Sequence, residues 1–527
     1  MRKQHLCVLS AMALLSLGSC SNDNTVLDSN EQANGTTTGL MEFAVEETQG
    51  QTRTMGIYDG SRIKFYWTEG DKLWINTDGT TLVQSAKDEI NSAMTALKDT
   101  KTPDAKFYFS GLYTAESYPV RYTGNGNAHG DKVTIKSEQS QTEPNNARHL
   151  GTDGDCGTAT AVRENGKYKF TLSHKAAYMT FTPYYSYGFA DDVKVTKIKI
   201  TADEALAGEF GFNDNGIDVS KRPAADASNC SITLNLGNFA IPTQAEISKN
   251  AAILVLAPGT YHNFKVEYFL NDSKTNVYGS VVKNYGTLIF TPGKNRRVSA
   301  NLAVTHYGQN IFYMWDAAVG QHAWKGHEGY QPSFNELIDN AYPKAGDPRY
   351  YNVVNHPASA SRSAKDCPNA NELYWYAKYG NPHWDASIWC FMKHLYQGGM
   401  WLKKLDVIAR ETGKSLETIK KEGPNGIDFT KSSSDVKIYD KYKHVNKNVT
   451  LGKPSNLSDY LFFPAIGDYI IANTTDGKLV NVGIKGYYWS STPRPDGNLN
   501  AYNFCVERDK VHTGYGGKMN SHCLWPK

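Results

Sequence analysis

Apolar and polar residues alternate along the chain from position 40 to about position 300. In the segment LMEFAVEE, Met41, Phe43 and Val45 are separated by polar or small residues, as a strand buried on one face requires. The segment RIKFYW repeats the pattern from Ile63 to Trp67. KLWINTDGTTLVQ predicts a hairpin around its Asp-Gly pair. This part of the chain is therefore predicted to be antiparallel β-structure.

Similar segments continue through about the next two hundred positions, and no long amphipathic helix interrupts them. The segment VKVTKIKI, residues 193–200, changes register midway and predicts a β-bulge. We predict a mostly β protein that begins with two tandem antiparallel β-sandwiches, residues 40–165 and 166–305.

The pattern changes after about residue 306, where Trp, Tyr and Gly become frequent and strands become short and isolated. Helical periodicity is present in NANELYWYAKYG, residues 369–380. It is also present across residues 385–413, where Trp401, Leu402, Leu405 and Ile408 share one face of a helix, and KSLETIKKEG adds another turn or two. We predict a separate α+β domain over residues 306–527.

The N-terminus has the features of a lipoprotein export signal. A basic start is followed by a short apolar run and by Leu-Gly-Ser before Cys20. The apolar run is too short to span a bilayer. Residues 1–20 are predicted to be a signal peptide with its lipobox, with lipid attached to Cys20, and polar residues 21–39 a disordered tether. The mature protein is expected at the outer membrane and cell surface.

Charge and cysteine content limit the classes of function that the chain can have. Lys and Arg number 56 against 53 Asp and Glu, so the charge is nearly balanced and gives no electrostatic argument for nucleic-acid binding. Of the 8 cysteines, Cys7 leaves with the signal and Cys20 carries lipid, and the others are expected in a compartment where disulfides persist.

The β regions resemble the fimbrillin family, the subunits of lipoprotein-derived type V pili. The matching stretches are FYWTEGDKLWIN, FTLSHKAAYMTFTP, VTKIKITADEALAGEFGF and LIFTPGKNRRVSANL. The resemblance implies two transthyretin-like sandwiches. It also implies cleavage after Arg53, a mature start at Thr54 and loss of a first strand in which Met41, Phe43 and Val45 fill a slot. A strand from another pilus subunit would then take this slot. The alternative for Arg53 is an ordinary solvated loop arginine.

The last region resembles the C-type-lectin-like fold, in the branch shared with formylglycine-generating enzymes. The stretches are CPNANELYWYAKYGNPHWD, LFFPAIGDY and GYYWSSTPRPDGNLNAYNF. The resemblance implies a disulfide bond across the last strands, which would join Cys505 to Cys523. Cys367 and Cys390 are candidates for a second pair, although sequence alone does not give connectivity. Cys156 and Cys230 either pair or stay buried and free.

Ligand-binding candidates in this region remain open between two interpretations. Trp324 and Trp384 lie in loop-like sequence and are candidates for a stacking platform, whereas most tryptophans here are expected in the core. Asp496 and Asn498 offer oxygens in a turn, as calcium sites do, but tight turns have the same composition. His322, His327 and Glu328 lack a zincin spacing, and no nucleophile elbow is present, so we expect no enzyme activity, metal or cofactor.

These features favour a fimbrial tip subunit with an outward-facing adhesin domain, joined to other pilus subunits by strand exchange. The ligand is expected to be a glycan or protein that the sequence does not identify. The main alternative is a lipid-anchored surface binding protein that never polymerises. A modifying enzyme of the formylglycine-generating kind is the third interpretation, and it needs a reactive thiol or metal.

Overall fold

The computed structural model describes residues 39–45, 55–333, 336–337, 341–431, 445–471, 478–495 and 497–526. Strands dominate these residues, so the chain is mostly β as the alternation predicts. The helices are α1 Ile90–Leu97, α2 Leu150–Asp153, α3 Ile247–Asn250, α4 Ala370–Tyr379, α5 Leu405–Thr412 and α6 Leu416–Lys421. None of the helices in the described residues combines the length and the apolar character needed to cross a membrane.

The described N-terminal residues contain thirteen strands, nine of which form one nine-stranded sheet. These strands are β1 Leu40–Val45, β2 Met55–Tyr58, β3 Ile63–Tyr66, β4 Trp74–Asn76, β5 Leu82–Gln84, β6 Lys87–Asp88, β7 Lys106–Ser110, β8 Ser117–Tyr122, β9 Lys132–Ile135, β10 Glu138–Gln141, β11 Gly157–Glu164, β12 Lys167–Phe170 and β13 Ser173–His174. The sheet order is β5-β4-β8-β11-β12-β1-β7-β6, with β13 beside β11. Its buried aromatic and aliphatic side chains form one core, which we call the first core.

The central strands, together with β9 and β10, form a five-stranded sheet and two three-stranded sheets that share a second core. They are β14 Ala177–Phe181, β15 Val193–Thr201, β16 Gly208–Asn213, β17 Gly216–Ile217, β18 Ser231–Ala240, β19 Ala252–Leu256, β20 Gly259–Asp272, β21 Val277–Phe290 and β22 Asn295–Val298. The five-stranded sheet has the order β10-β18-β15-β20-β21, and the predicted bulge lies in β15 between Val195 and Lys197. Strands from both sides of residue 165 share sheets here, and the division into domains stays a prediction.

The last region contains strands β23 Thr305–Tyr307, β24 Phe312–Met314, β25 His383–Phe391, β26 His394–Lys403, β27 Val445–Asn446, β28 Thr450–Leu451, β29 Tyr460–Pro464, β30 Ile466–Ile470, β31 Lys478–Val482, β32 Lys485–Pro493, β33 Asn500–Glu507, β34 Lys510–Gly517 and β35 Ser521–Cys523. They form a five-stranded and an eight-stranded sheet around a third core. Short 3-10 turns lie at Val219–Lys221, Gln309–Ile311, Glu328–Tyr330 and Leu457–Asp459.

The helix predictions in this region are right at two places and wrong at one. Helix α4 forms as predicted, and Asn369 and Glu372 close a capping box at its start. Helix α6 also forms. The helix predicted across residues 385–413 is wrong before Leu405, because residues 383–403 form the antiparallel hairpin β25–β26. Its apolar residues are buried on both faces of the hairpin, and this removes the strict alternation that marks a half-buried strand.

Candidate functional site

Strand β1 occupies an internal position in the nine-stranded sheet. It pairs antiparallel with β7, from Leu40 opposite Ser110 to Ala44 opposite Lys106. On its other side it pairs parallel with β12, where Phe43 lies opposite Tyr168. In the described structure β7 and β12 pair with β1 and not with each other. Strand β1 therefore fills a slot between β7 and β12, and its backbone hydrogen bonds are what join these two strands.

Phe43 is the side chain that anchors β1 in this slot. It is 1% exposed, and its ring stacks on Tyr168 with centroids 4.5 Å apart. Phe109 and Tyr113 approach it edge-on at 5.0 and 5.6 Å. Burial of one such side chain contributes about 1.5–3 kcal/mol. Met41 and Val45 are only partly buried and pack at the margin of the first core, so the three predicted slot residues share one face with unequal burial.

Polar contacts fix the opposite face of β1. Glu42 accepts a hydrogen bond from Lys167 Nζ at 3.0 Å, and its other oxygen lies 3.4 Å from the Tyr108 hydroxyl, which donates to Glu89 at 2.5 Å. Burial, together with the nearby carboxylates of Glu89 and Glu42, raises the pKa of Tyr108, so this phenol stays protonated and able to donate. These contacts place β1 in a single register between its neighbours.

Residues Arg53 and Thr54, like Cys20, lie outside the described residues. Strand β2 begins at Met55, the residue that follows Thr54, and pairs with β3 in a separate two-stranded sheet. Along the chain, the predicted cleavage position therefore lies between a strand of the nine-stranded sheet and a strand whose Tyr58 joins the second core.

Two predicted ligand-binding residues are core residues, so that part of the prediction is wrong. Trp324 is 1% exposed and lies 5.4 Å, centroid to centroid, from the ring of Tyr469. Trp384 is buried against Gly398, where an added Cβ would lie 2.4 Å from the indole. The glycines, prolines and histidines beside both tryptophans suggested exposed loops. Tertiary packing instead turns both rings inward.

Asn498 is exposed, and its side chain donates a hydrogen bond to Asn355 Oδ1 at 3.1 Å. Asp496, its predicted partner in a turn, lies outside the described residues. Three exposed apolar side chains adjoin this amide pair along the chain, which sequence reasoning missed: Val353, Val354 and Leu499 are 66%, 57% and 62% exposed. We call these five residues the Asn498 face.

The predicted disulfides are not formed, because all six cysteines in the described residues are free. Cys505 and Cys523 lie on strands that flank β32, opposite Tyr487 and Tyr488. Two strand spacings are about 10 Å, which exceeds the reach of a disulfide. Cys367 packs beside Trp315 and Trp489, whereas Cys390 joins the second core. Burial raises the pKa of Cys390 to about 11, which disfavours its reactive thiolate.

The sequence analysis rejected His322, His327 and Glu328 as a metal site, and the structure brings the side chains of two of them close together. His322 Nε2 lies 3.6 Å from Glu328 Oε1. His322 is nearly buried, and burial lowers its pKa. A neutral, enclosed imidazole beside one exposed carboxylate fits a structural role.

Comparisons with known proteins give low similarity. No family model matches the chain, and no curated protein matches it. A fimbrial protein from Bacteroides ovatus is similar at 13% identity and a TM-score of 0.23, covering 92% of this chain and 97% of that one. Two proteins proposed to act in cell adhesion, from Bacteroides ovatus and Bacteroides uniformis, are similar at 12% and 13% identity with TM-scores of 0.30. They cover 50% of this chain and 92% and 94% of their own. Similarity at this level does not assign the chain to a family.

Proposed function

We propose that this chain is a fimbrial tip subunit. It is exported as a lipoprotein, matured by proteolysis after Arg53 and joined to another pilus subunit by donor-strand exchange. Its last region binds a surface ligand, a glycan or a protein. The proposal contains no catalytic step and needs no cofactor.

The position of β1 is the observation that carries this proposal. Removal of β1 would open the facing edges of β7 and β12 and uncover the site of Phe43 in the first core. An open pair of sheet edges above an apolar slot binds an extended strand through backbone hydrogen bonds and side-chain pockets. A strand from another subunit with an aromatic residue at the Phe43 position would restore both ladders.

The pairing of the last described strand supports a tip position. Strand β35 lies within its own region, antiparallel to β24 and β30 and parallel to β32 at Tyr488. A strand held on several neighbours is not available to enter a second subunit. The chain would thus accept a strand through the β1 slot, and its last region would present the Asn498 face outward.

The first experiment is to determine the N-terminal sequence and mass of the protein from native cell envelopes and from sheared surface fibres. A start at Thr54 in the fibre fraction is the expected result. A lipidated start at Cys20, in membranes alone, would overturn strand exchange.

A pair of arginine variants sharpens this test. Arg53→Ala should leave the lipidated form in the membrane and remove the protein from fibres. Arg62→Ala is the matched control, since Arg62 is an exposed arginine in the β2–β3 turn and carries no predicted cleavage. Equal fibre incorporation by both variants would contradict cleavage at Arg53.

A lipid-anchored surface receptor that never polymerises is the second candidate. The complete pairing of β1 on both sides favours it, because the nine-stranded sheet needs no strand from outside while β1 is present. Retention of β1 in all cellular fractions is the result that would select this function.

A further inference from the structure

Three potential metal ligands meet on one face of the last region, in the hairpin β33–β34. Cys505 lies directly opposite His512 in the antiparallel pair. Glu507 follows Cys505 by two residues on the same strand, so its side chain lies on the same face. These ligands come from adjacent positions of one regular hairpin, and no loop movement is needed to bring them together.

The distances among the ligand atoms suit a small tetrahedral ion. Glu507 Oε1 lies 3.7 Å from Cys505 Sγ and 3.1 Å from His512 Nε2. All three ligand atoms lie within 4.8 Å of one another. Zn²⁺ bonds of about 2.0–2.3 Å in tetrahedral geometry separate neighbouring ligands by about 3.3–3.7 Å, so a small inward rotation of side chains completes the set.

The imidazole of His512 is oriented as a metal ligand would be. Its Nδ1 lies 3.2 Å from the backbone oxygen of Thr513, and its Nε2 faces Glu507. When Nδ1–H donates to Thr513, Nε2 presents a lone pair toward a carboxylate oxygen, which is also an acceptor. A cation between these two atoms satisfies both. A backbone carbonyl on the second ring nitrogen is the usual support of a histidine ligand.

Two lysines compete with a cation at this place. Lys485 Nζ and Lys510 Nζ each lie 3.3 Å from an oxygen of Glu507. Both lysine side chains are 31% exposed, so their ammonium groups can move into solvent. Their charge weakens metal binding without blocking it, and removal of one of them should strengthen binding.

We propose that Cys505, Glu507 and His512 bind Zn²⁺, with the fourth coordination position open to water. Cys505 is fully buried, whereas the side chains of Glu507 and His512 are 12% and 25% exposed, so an ion can enter from the His512 side. On binding, the thiol of Cys505 loses its proton to solvent and a sulfur–zinc bond forms. Three protein ligands and an open position characterise zinc sites that are not purely structural.

Cobalt substitution tests the proposal in the full chain. The protein, in a Cys230→Ser background that removes the most exposed of the described cysteines, is titrated with Co²⁺ and then with Zn²⁺. The expected result is one cobalt per chain, with a sulfur-to-cobalt charge-transfer band that Zn²⁺ abolishes. Cys505→Ser should remove this band. Cys523→Ser should keep it, because Cys523 is a buried cysteine of the same region outside the cluster.

Two further variants keep the test decisive if Cys505→Ser fails to fold. His512→Gln should raise the dissociation constant for Zn²⁺ about tenfold or more. Lys510→Met should lower it, because it removes a competing charge. Absence of a thiolate band in the parent protein, or identical bands in the parent and in His512→Gln, would overturn the site.

Discussion

Lys518 shows how a single charge acts within the last region. Its side chain is 0% exposed, and its Nζ has no hydrogen-bond partner among the described residues. The ammonium lies 4.4 Å from the centre of the Trp315 ring. Burial lowers the pKa of Lys518 to about 8, although the charge of Asp316 opposes this shift. The Trp315 ring stabilises the cation in part, but burial of the charged lysine still lowers the free energy of unfolding.

Lys518→Met should stabilise the protein at pH 7 by about 1–2 kcal/mol, since the lost cation–π contact is smaller than the relieved burial cost. The unfolded lysine has a pKa of about 10.4, so the unfolded state binds more protons between about pH 8 and pH 10.4. The contribution of Lys518 to the parent's free energy of unfolding should therefore rise over this interval, so the difference in free energy of unfolding between Lys518→Met and the parent should shrink from pH 7 to pH 10. Urea unfolding at pH 7 and pH 10 measures both effects.

Lys325→Met, at an exposed lysine of the same region, is the control and should leave the pH profile unchanged. A destabilised Lys518→Met protein with an unaltered pH profile would show that Lys518 keeps its ordinary pKa.

At the scale of elements, Phe43 provides most of the packing between β1 and the first core. Phe43→Ala should destabilise the nine-stranded sheet by about 3–5 kcal/mol, because the side chain is enclosed by three aromatic rings. Met41→Ala, at a partly buried position of the same strand, should cost clearly less. Hydrogen exchange of the β7 and β12 amides measures the loss. Equal protection in both variants would contradict the anchoring role of Phe43.

Elements with local signals were the predictable part of this fold. Alternation located β1, and the register change in VKVTKIKI located the bulge in β15. The β25–β26 hairpin was missed because its residues are buried on both faces, and their spacing also fits a helix. The tight turn at Met392 and Lys393, both at positive φ, carries neither of the residues that usually mark such turns, Asn and Gly.

The environment of β1 could not be predicted from the sequence to the same depth. Its apolar face was readable from Met41, Phe43 and Val45, but its neighbours are distant along the chain. Tyr108 lies opposite Glu42, and Tyr168 lies opposite Phe43. Such pairings depend on how the whole sheet closes, and no local propensity encodes them. The unequal burial of the three residues follows from this non-local arrangement.

At the scale of the whole molecule, the β25–β26 hairpin connects the last region to the second core. Cys390 and Leu395, near its tip, are buried among residues of the central sheets. The buried carboxylate of Asp272, at the end of β20, accepts from Leu395 N at 2.8 Å and lies 3.0 Å from His394 Nδ1. Burial alone would raise the pKa of Asp272, but these hydrogen bonds hold it below its ordinary value.

Asp272→Ala should weaken this connection by about 3 kcal/mol, because it leaves His394 and the Leu395 amide buried without their acceptor. Calorimetry should then show two transitions where the parent shows one. Asp191→Ala, at an exposed aspartate just before β15, is the control and should unfold like the parent. A single unchanged transition in Asp272→Ala would show that apolar packing alone couples the two parts.

The shared second core also bears on how such proteins diversify. A region that buries its own hairpin tip in its neighbour is not an independent module. Recombination that moved residues 306–526 onto another β-sandwich would expose Cys390 and Leu395 unless the recipient offered a matching socket and an acceptor like Asp272. Transfer of this region to another protein is therefore expected to require the hairpin and the residues that enclose its tip together.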